Sequence, residues 1–139
     1  MDGPLITQSI TASVTYDDPR AGIRWLTDVL GFRPAAVHDG PDGDVVHAEL
    51  VWEAGFLFVG RRAPAGEPGP AVGPSSVALN TRDPAAVDRW YERALASGAD
   101  IVRPLHDAPY GSHQFDVRDP EGNLWTVGTY QPEISRRGR

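Results

Sequence analysis

Asp18-Pro19 recurs as Asp83-Pro84, and around these two dipeptides the chain repeats itself. In that alignment Thr11 falls on Ser76, Val14 on Leu79, Ala21 on Ala86, Arg24 on Arg89, Trp25 on Trp90 and Leu30 on Leu95. Further on, Phe56-Leu57-Phe58-Val59-Gly60 and Leu124-Trp125-Thr126-Val127-Gly128 share an apolar, apolar, X, Val, Gly pattern at a slightly wider spacing. A collinear series that aligns both Trp residues marks an internal duplication, which restricts the possible folds more than any composition does.

Each copy reads as a strand, a helix and then three strands. Ile10–Tyr16 and Ser76–Thr81 mix β-branched or apolar residues with small polar ones, as half-buried strands do. Asp18 and Asp83 can accept hydrogen bonds from the free N–H groups of a helix start, and the following Pro suits the first helical position. Ile23, Leu26 and Leu30, then Val87, Trp90, Tyr91 and Leu95, recur at helical spacing, so each helix lays one apolar face on a sheet. Trp25 and Trp90 are expected in the core. Gly31 and Gly98 are natural stops. Ala35–His38, Val45–Trp52 and Phe56–Gly60 complete the first copy; Ile101–Pro104, His113–Arg118 and Leu124–Thr129 complete the second.

The fold class expected is therefore α+β, with two tandem βαβββ modules. The boundaries are a single domain at 5–132, comprising module one at 8–61, a Pro/Gly/Ala-rich linker at 62–74 and module two at 75–130, with a flexible tail at 133–139. Neither half is large enough to bury a safe core alone. The absence of Cys excludes disulfides, thiol catalysis and Cys-bound metals, and fits a cytoplasmic location. No apolar run approaches membrane-spanning length and the first residues show no basic-then-apolar pattern, so neither a membrane span nor a leader is expected. A net charge of −6 argues against nucleic acid, and at most favours a cationic ligand through its long-range field.

Tyr110-Gly111-Ser112-His113-Gln114-Phe115-Asp116-Val117-Arg118-Asp119-Pro120-Glu121-Gly122-Asn123-Leu124-Trp125, together with the repeat, resembles the ending of the glyoxalase/bleomycin-resistance branch of the vicinal oxygen chelate superfamily. The resemblance covers nearly all of 10–130. It implies paired βαβββ modules forming an open cupped sheet, each curling its strands into half of an open cavity, usually in a homodimer. It also implies that enzymes of the family draw metal ligands from matched points on the first and last strands of each module. Here those points are Thr11, Phe58, Ser76 and Thr126, where no His, Gln or Glu stands. A divalent ion needs several converging N or O donors, which hydroxyls and a phenyl ring do not supply. No metal and no cofactor are expected. A site rebuilt from His47, Glu49, His113 and Asp116 is the competing possibility, because His47 and Glu49 share one strand face.

Alternation from position 58 puts Phe56 and Gly60 toward the cavity, and from position 126 Leu124 and Gly128. The turn Glu53-Ala54-Gly55 leaves the preceding strand open: a two-residue turn at Ala54-Gly55 turns His47, Glu49 and Val51 inward, and a three-residue turn turns Ala48, Leu50 and Trp52 inward. The candidate ligand-binding residues are Trp52, Phe56, Phe58, Tyr110, His113, Phe115, Leu124 and Thr126, which suit a flat apolar or aromatic ligand. The acid–base candidates are His47, Glu49 and His113, the last equally readable as a solvent-facing strand residue. His38 and His106 show no constellation. Three functions stay open. The chain could be a metal-free small-molecule-binding protein that sequesters an aromatic or cationic antibiotic or metabolite. It could instead be an enzyme of lyase, isomerase or dioxygenase type, or a regulatory dimer with a residual cavity.

Overall fold

The computed structural model describes residues 9–132. The chain divides between Ser75 and Ser76 into two compact units, and each unit is one βαβββ module. Residues 5–8 of the expected domain and the tail at 133–139 lie outside the described residues.

Module one runs β1 (Ala12–Tyr16), α1 (Pro19–Leu30), β2 (Arg33–Asp39), β3 (Val45–Trp52) and β4 (Gly55–Arg61). Its sheet has the order β1-β4-β3-β2, with β1 parallel to β4 and the other pairs antiparallel. The first strand begins at Ala12 rather than Ile10, whose side chain is 87% exposed and so has no sheet face to occupy. Asp18 accepts a hydrogen bond from the Ala21 N–H at 3.1 Å, and Pro19 opens the helix. At the other end Gly31 adopts the left-handed conformation, φ 75°, which lets its N–H reach the Thr27 carbonyl.

The helix packs its Leu26, Val29 and Leu30 against Val14, Tyr16, Ala48, Leu50, Trp52, Leu57 and Val59, all buried and alternating along their strands. The Trp52 indole N–H donates to the Leu30 carbonyl at 2.8 Å, satisfying one of the free acceptors at the helix C-terminus. Trp52 is thus held on the helix side. Trp25 is only half-buried, so it is not the core residue its position suggested.

Module two repeats the plan: β5 (Ser76–Asn80), α2 (Pro84–Ala96), β6 (Asp100–Asp107), β7 (His113–Arg118) and β8 (Leu124–Gly128), in the order β5-β8-β7-β6. Asp83 caps α2 through the Ala85 N–H at 3.0 Å. The helix buries Ala86, Val87 and Ala94, while Leu95 is 47% exposed and Trp90 half-buried beneath the Arg93 guanidinium. The expected apolar stripe therefore turns toward smaller residues, and neither Trp90 nor Leu95 is core. β6 is longer than expected because register irregularities carry the pairing past Pro104.

The turn from β7 to β8 explains the Asp-Pro-Glu-Gly-Asn motif. One Asp119 oxygen accepts from the Glu121 and Asn123 backbone N–H groups, both at 3.0 Å. The other accepts from the Asn123 side-chain amide at 2.9 Å and the Trp125 indole at 3.1 Å. Asp119, Asn123 and Trp125 are all buried. The result pairs Arg118 with Leu124 across a five-residue loop. In module one Trp52 pairs with Gly55, so the loop there is Glu53-Ala54, one residue earlier than the two-residue turn considered from sequence. Between the matched pairs Val51–Phe56 and Arg118–Leu124, module two carries one extra residue, which accounts for the last step of the drift in spacing between the two copies.

Two substitutions test these packing assignments. A Cβ at Gly22 would stand 2.9 Å from the buried Tyr16 ring, so Gly22→Ala should lower stability by about 1 kcal/mol net despite the better helix propensity of Ala. Asp119→Asn would aim an amide at donors already converging there, and should cost about 2–3 kcal/mol. Denaturant midpoints measured against the parent chain check both, and an unchanged midpoint contradicts the packing described.

Candidate functional site

In each module one sheet face carries the helix and the other does not, and the chemistry lies on the second face. In module one the pairs His47–Gly60, Glu49–Phe58 and Val51–Phe56 place His47, Glu49 and Val51 beside Phe56, Phe58 and Gly60. The parallel partner of Phe58 on β1 is Ser13. The His47 Nε2 lies 3.5 Å from a Glu49 oxygen, the His47 ring meets Phe58 edge-on at 5.2 Å, and His38 stacks on His47 at 6.0 Å. His38 therefore does join a constellation, because it pairs directly with His47 across β2 and β3. Phe56 is 43% exposed. A Cβ at Gly60 would meet nothing within 4 Å, so the face is open there.

In module two the pairs Gln114–Gly128, Asp116–Thr126 and Arg118–Leu124 set Gln114 and Asp116 on the face of Thr126. The parallel partner of Thr126 is Ala78, and that of Gly128 is Asn80. Of these, Ala78, Asn80, Gln114, Asp116 and Thr126, together with Arg103, Tyr110 and Tyr130, line a pocket of ≈ 370 Å³. Its floor is buried: Gln114 and Asp116 are 6% and 8% exposed. Its rim is open, since Tyr110 and Tyr130 are 62% and 48% exposed and Arg103 is also exposed. The two tyrosine rings meet edge to face at 5.9 Å. The Tyr110 hydroxyl donates to the Gln114 carbonyl oxygen at 3.1 Å, and the Thr126 hydroxyl donates to Asp116 at 2.7 Å. Gly128 is bare for a reason opposite to Gly60: a Cβ there would stand 2.8 Å from both Gln114 Cβ and Ser112 Oγ.

Of the residues expected to bind ligand, Tyr110 and Thr126 line this pocket, and Leu124 shares its face without lining it. Phe56 and Phe58 lie on the corresponding face of module one. Trp52, His113 and Phe115 are on the helix side. Phe115 is fully buried with its ring 5.1 Å from Tyr91 of α2. His113 lies between Asp88 of α2, 2.6 Å from Nε2, and Asp107 of β6, 2.8 Å from Nδ1. Gln114, Arg103, Asn80 and Tyr130 were not anticipated, and Asp116 had been considered only as a metal donor. A usable signal existed: a five-residue Asp119–Asn123 loop sets Thr126 opposite Asp116, and alternation then excludes His113 and Phe115 from that face.

At the points that the resemblance gives for metal ligands stand Thr11, Phe58, Ser76 and Thr126, and the strand neighbours of Phe58 and Thr126 are Ser13 and Ala78. Hydroxyls, a methyl and a phenyl ring do not fit a divalent ion. Among the described residues, no group of three or more His, Asp or Glu is arranged to hold one.

The model of the Glyoxalase/Bleomycin resistance protein/Dioxygenase superfamily matches residues 9–127. The chain belongs to that superfamily. Its fold is similar to that of TioX from Micromonospora sp. ML1, at 33% identity and TM-score 0.75, with 90% of this chain and 100% of that one covered. It is similar also to a lactoylglutathione lyase from Agrobacterium tumefaciens, at 28% identity and TM-score 0.67, covering 88% and 94%. An uncharacterised protein of Mycobacterium bovis is 30% identical over 137 residues, 94% of this chain and 88% of that protein.

Hydrogen bonds that the His113 ring donates, first to Asp88 and then to Asp107, push it above its ordinary value of 6.5, against a smaller opposing effect of burial. The folded imidazolium thus stabilises module two most fully below the unfolded value, and that stabilisation is lost as pH rises through the folded value. His113→Gln should therefore cost most stability below about pH 6.5, with the gap to the parent narrowing toward alkaline pH. Thermal melts across that range check it; a gap independent of pH removes the ion pairs from the account.

Proposed function

We propose that the chain is a small-molecule-binding protein whose ligand enters the module-two pocket, and that binding does not run through a metal at the family's first- and last-strand points. The observation that carries this reading is the pocket itself. Buried polar groups at its floor and two tyrosine rings at its rim combine orientation with apolar contact, as small-molecule sites do. The unsuitable donors at Thr11, Phe58, Ser76 and Thr126, and at the neighbouring Ser13 and Ala78, support the metal-independent part. In this reading the ligand is a compact ring-bearing antibiotic or metabolite, and the working form is a homodimer, as is usual in the family.

A second reading has its own observation. His47 and Glu49 lie side by side on the open face of module one, and a carboxylate beside an imidazole suits proton transfer. Kinship with a lactoylglutathione lyase fits an enzyme using that pair. The two readings make different demands: the first needs Gln114 and Tyr110, the second His47 and Glu49.

A thermal-shift screen of planar antibiotics and aromatic metabolites tests the first. At ligand about 100-fold above Kd, stabilisation should reach about 2.7 kcal/mol. Gln114→Ala should then weaken the ligand found by about tenfold, through loss of its amide and of the Tyr110 hydrogen bond, while His47→Ala leaves affinity unchanged. The reverse pattern, or stoichiometric Ni, Zn, Fe or Mn in protein purified without chelator, favours the enzyme.

A further inference from the structure

We propose that the module-two pocket recognises a cationic N–H donor group, such as an amidinium or guanidinium carried on a flat ring, and that Asp116 is the residue selecting it. This rests on the pocket being the ligand site and adds the chemical class of what it takes.

Asp116 is a carboxylate 8% exposed, on the middle of a central strand. A buried carboxylate is costly unless a cation or several donors compensate it. Here one hydroxyl, that of Thr126, supplies a hydrogen bond at 2.7 Å, and no Arg or His nitrogen among the described residues forms an ion pair with it. By contrast Asp119, three residues on, collects two backbone N–H groups, an amide and an indole. The loop that follows the strand therefore shows what a structurally satisfied buried carboxylate looks like, and Asp116 is not one.

The neighbouring groups shape the remaining demand. Thr126 orients the carboxylate and uses one oxygen, leaving the second oxygen for a ligand in a pocket lined by Asp116 itself. Tyr110 and Tyr130 bring ring faces and edges to the rim, where a flat cation gains from the π-system as well as from apolar contact. Arg103 is the one cation of the lining. It stands directly across from Asp116 in the β6–β7 register, yet it is exposed and makes no ion pair with it. A solvated guanidinium on an edge strand sets the rim's charge weakly, whereas a buried, oriented carboxylate sets the floor's charge strongly. The floor thus selects a positive donor. Planar amidinium fits better than a hydrated ammonium, because two parallel N–H bonds match a carboxylate.

The test uses three probes of one size on the full chain: benzamidine, benzamide and benzoate, titrated at millimolar concentration while backbone amide resonances are followed by NMR. Benzamidine should shift the Gln114, Asp116 and Thr126 resonances saturably, with benzamide weaker by about tenfold or more and benzoate silent there. Asp116→Asn should reduce benzamidine affinity by about tenfold or more, and the charge series in the parent chain decides the matter even if that variant folds poorly. Arg103→Ala removes the like charge from the lining and should tighten benzamidine binding, and weaker binding in that variant overturns the charge assignment. Benzoate binding at these resonances in place of benzamidine overturns the charge assignment while keeping the pocket. Equal binding of benzamidine and benzamide overturns it too, as does benzamidine affinity indifferent to Asp116→Asn. If none of the probes moves these resonances, the proposal fails; if the thermal-shift screen is also blank, the pocket reading fails with it.

Discussion

The Asp119 carboxylate is the interaction on which module two depends. It gathers donors from Glu121, Asn123 and Trp125 and so sets the length of the loop between the two central strands. Loop length sets register, and register decides which side of the sheet every side chain of β7 meets. A slip of one residue would carry Phe115 and Val117 away from α2 and put Gln114 and Asp116 against it, burying polar groups in an apolar layer. The hub also ties Trp125, fully buried, to the turn that precedes it. Core packing and pocket chemistry are thus set by the same five residues.

The two modules share a plan but not a chemistry. Equivalent points carry His47 and Gln114, Glu49 and Asp116, Phe58 and Thr126, Gly60 and Gly128. In module one the face is open at Gly60, and its titratable groups are half-exposed and partner one another. In module two Ser112 and Gln114 close over Gly128, a hydroxyl replaces the phenyl ring, and the carboxylate is buried. Duplication of this kind preserves the helix-side layer, where volume and alternation constrain every position. The opposite faces are free to diverge because nothing in the packing of either sheet on its helix depends on them.

The legibility of these features from sequence follows the same division. Helix starts were readable because Asp-Pro is a local signal acting within one turn, and the structure shows both caps in place. Helix-side positions on the last strand of each module, Leu57, Val59, Trp125 and Val127, were readable from alternation, whereas the face of β3 was left open by its turn. Trp25, Trp90 and Leu95 were misplaced because helical spacing names a face without saying how wide the buried stripe is. Trp52, His113 and Phe115 were drawn into the candidate site by their chemistry, since aromatic and imidazole side chains suit ligands as well as cores. Their actual partners, the Leu30 carbonyl, the Asp88 and Asp107 carboxylates and the Tyr91 ring, lie on segments remote in the chain.

Sequence alone determined the duplication, the order of elements and the superfamily. Each of these is a matter of residue identity at a spacing along the chain. Tertiary structure decided which polar groups are buried together and which are left with a single donor, because that depends on register, on bulges in β6 and on what the opposite strand presents. Asp116 and Asp119 illustrate the difference. Both are aspartates at either end of one short stretch, yet folding surrounds one with donors and leaves the other facing an open pocket.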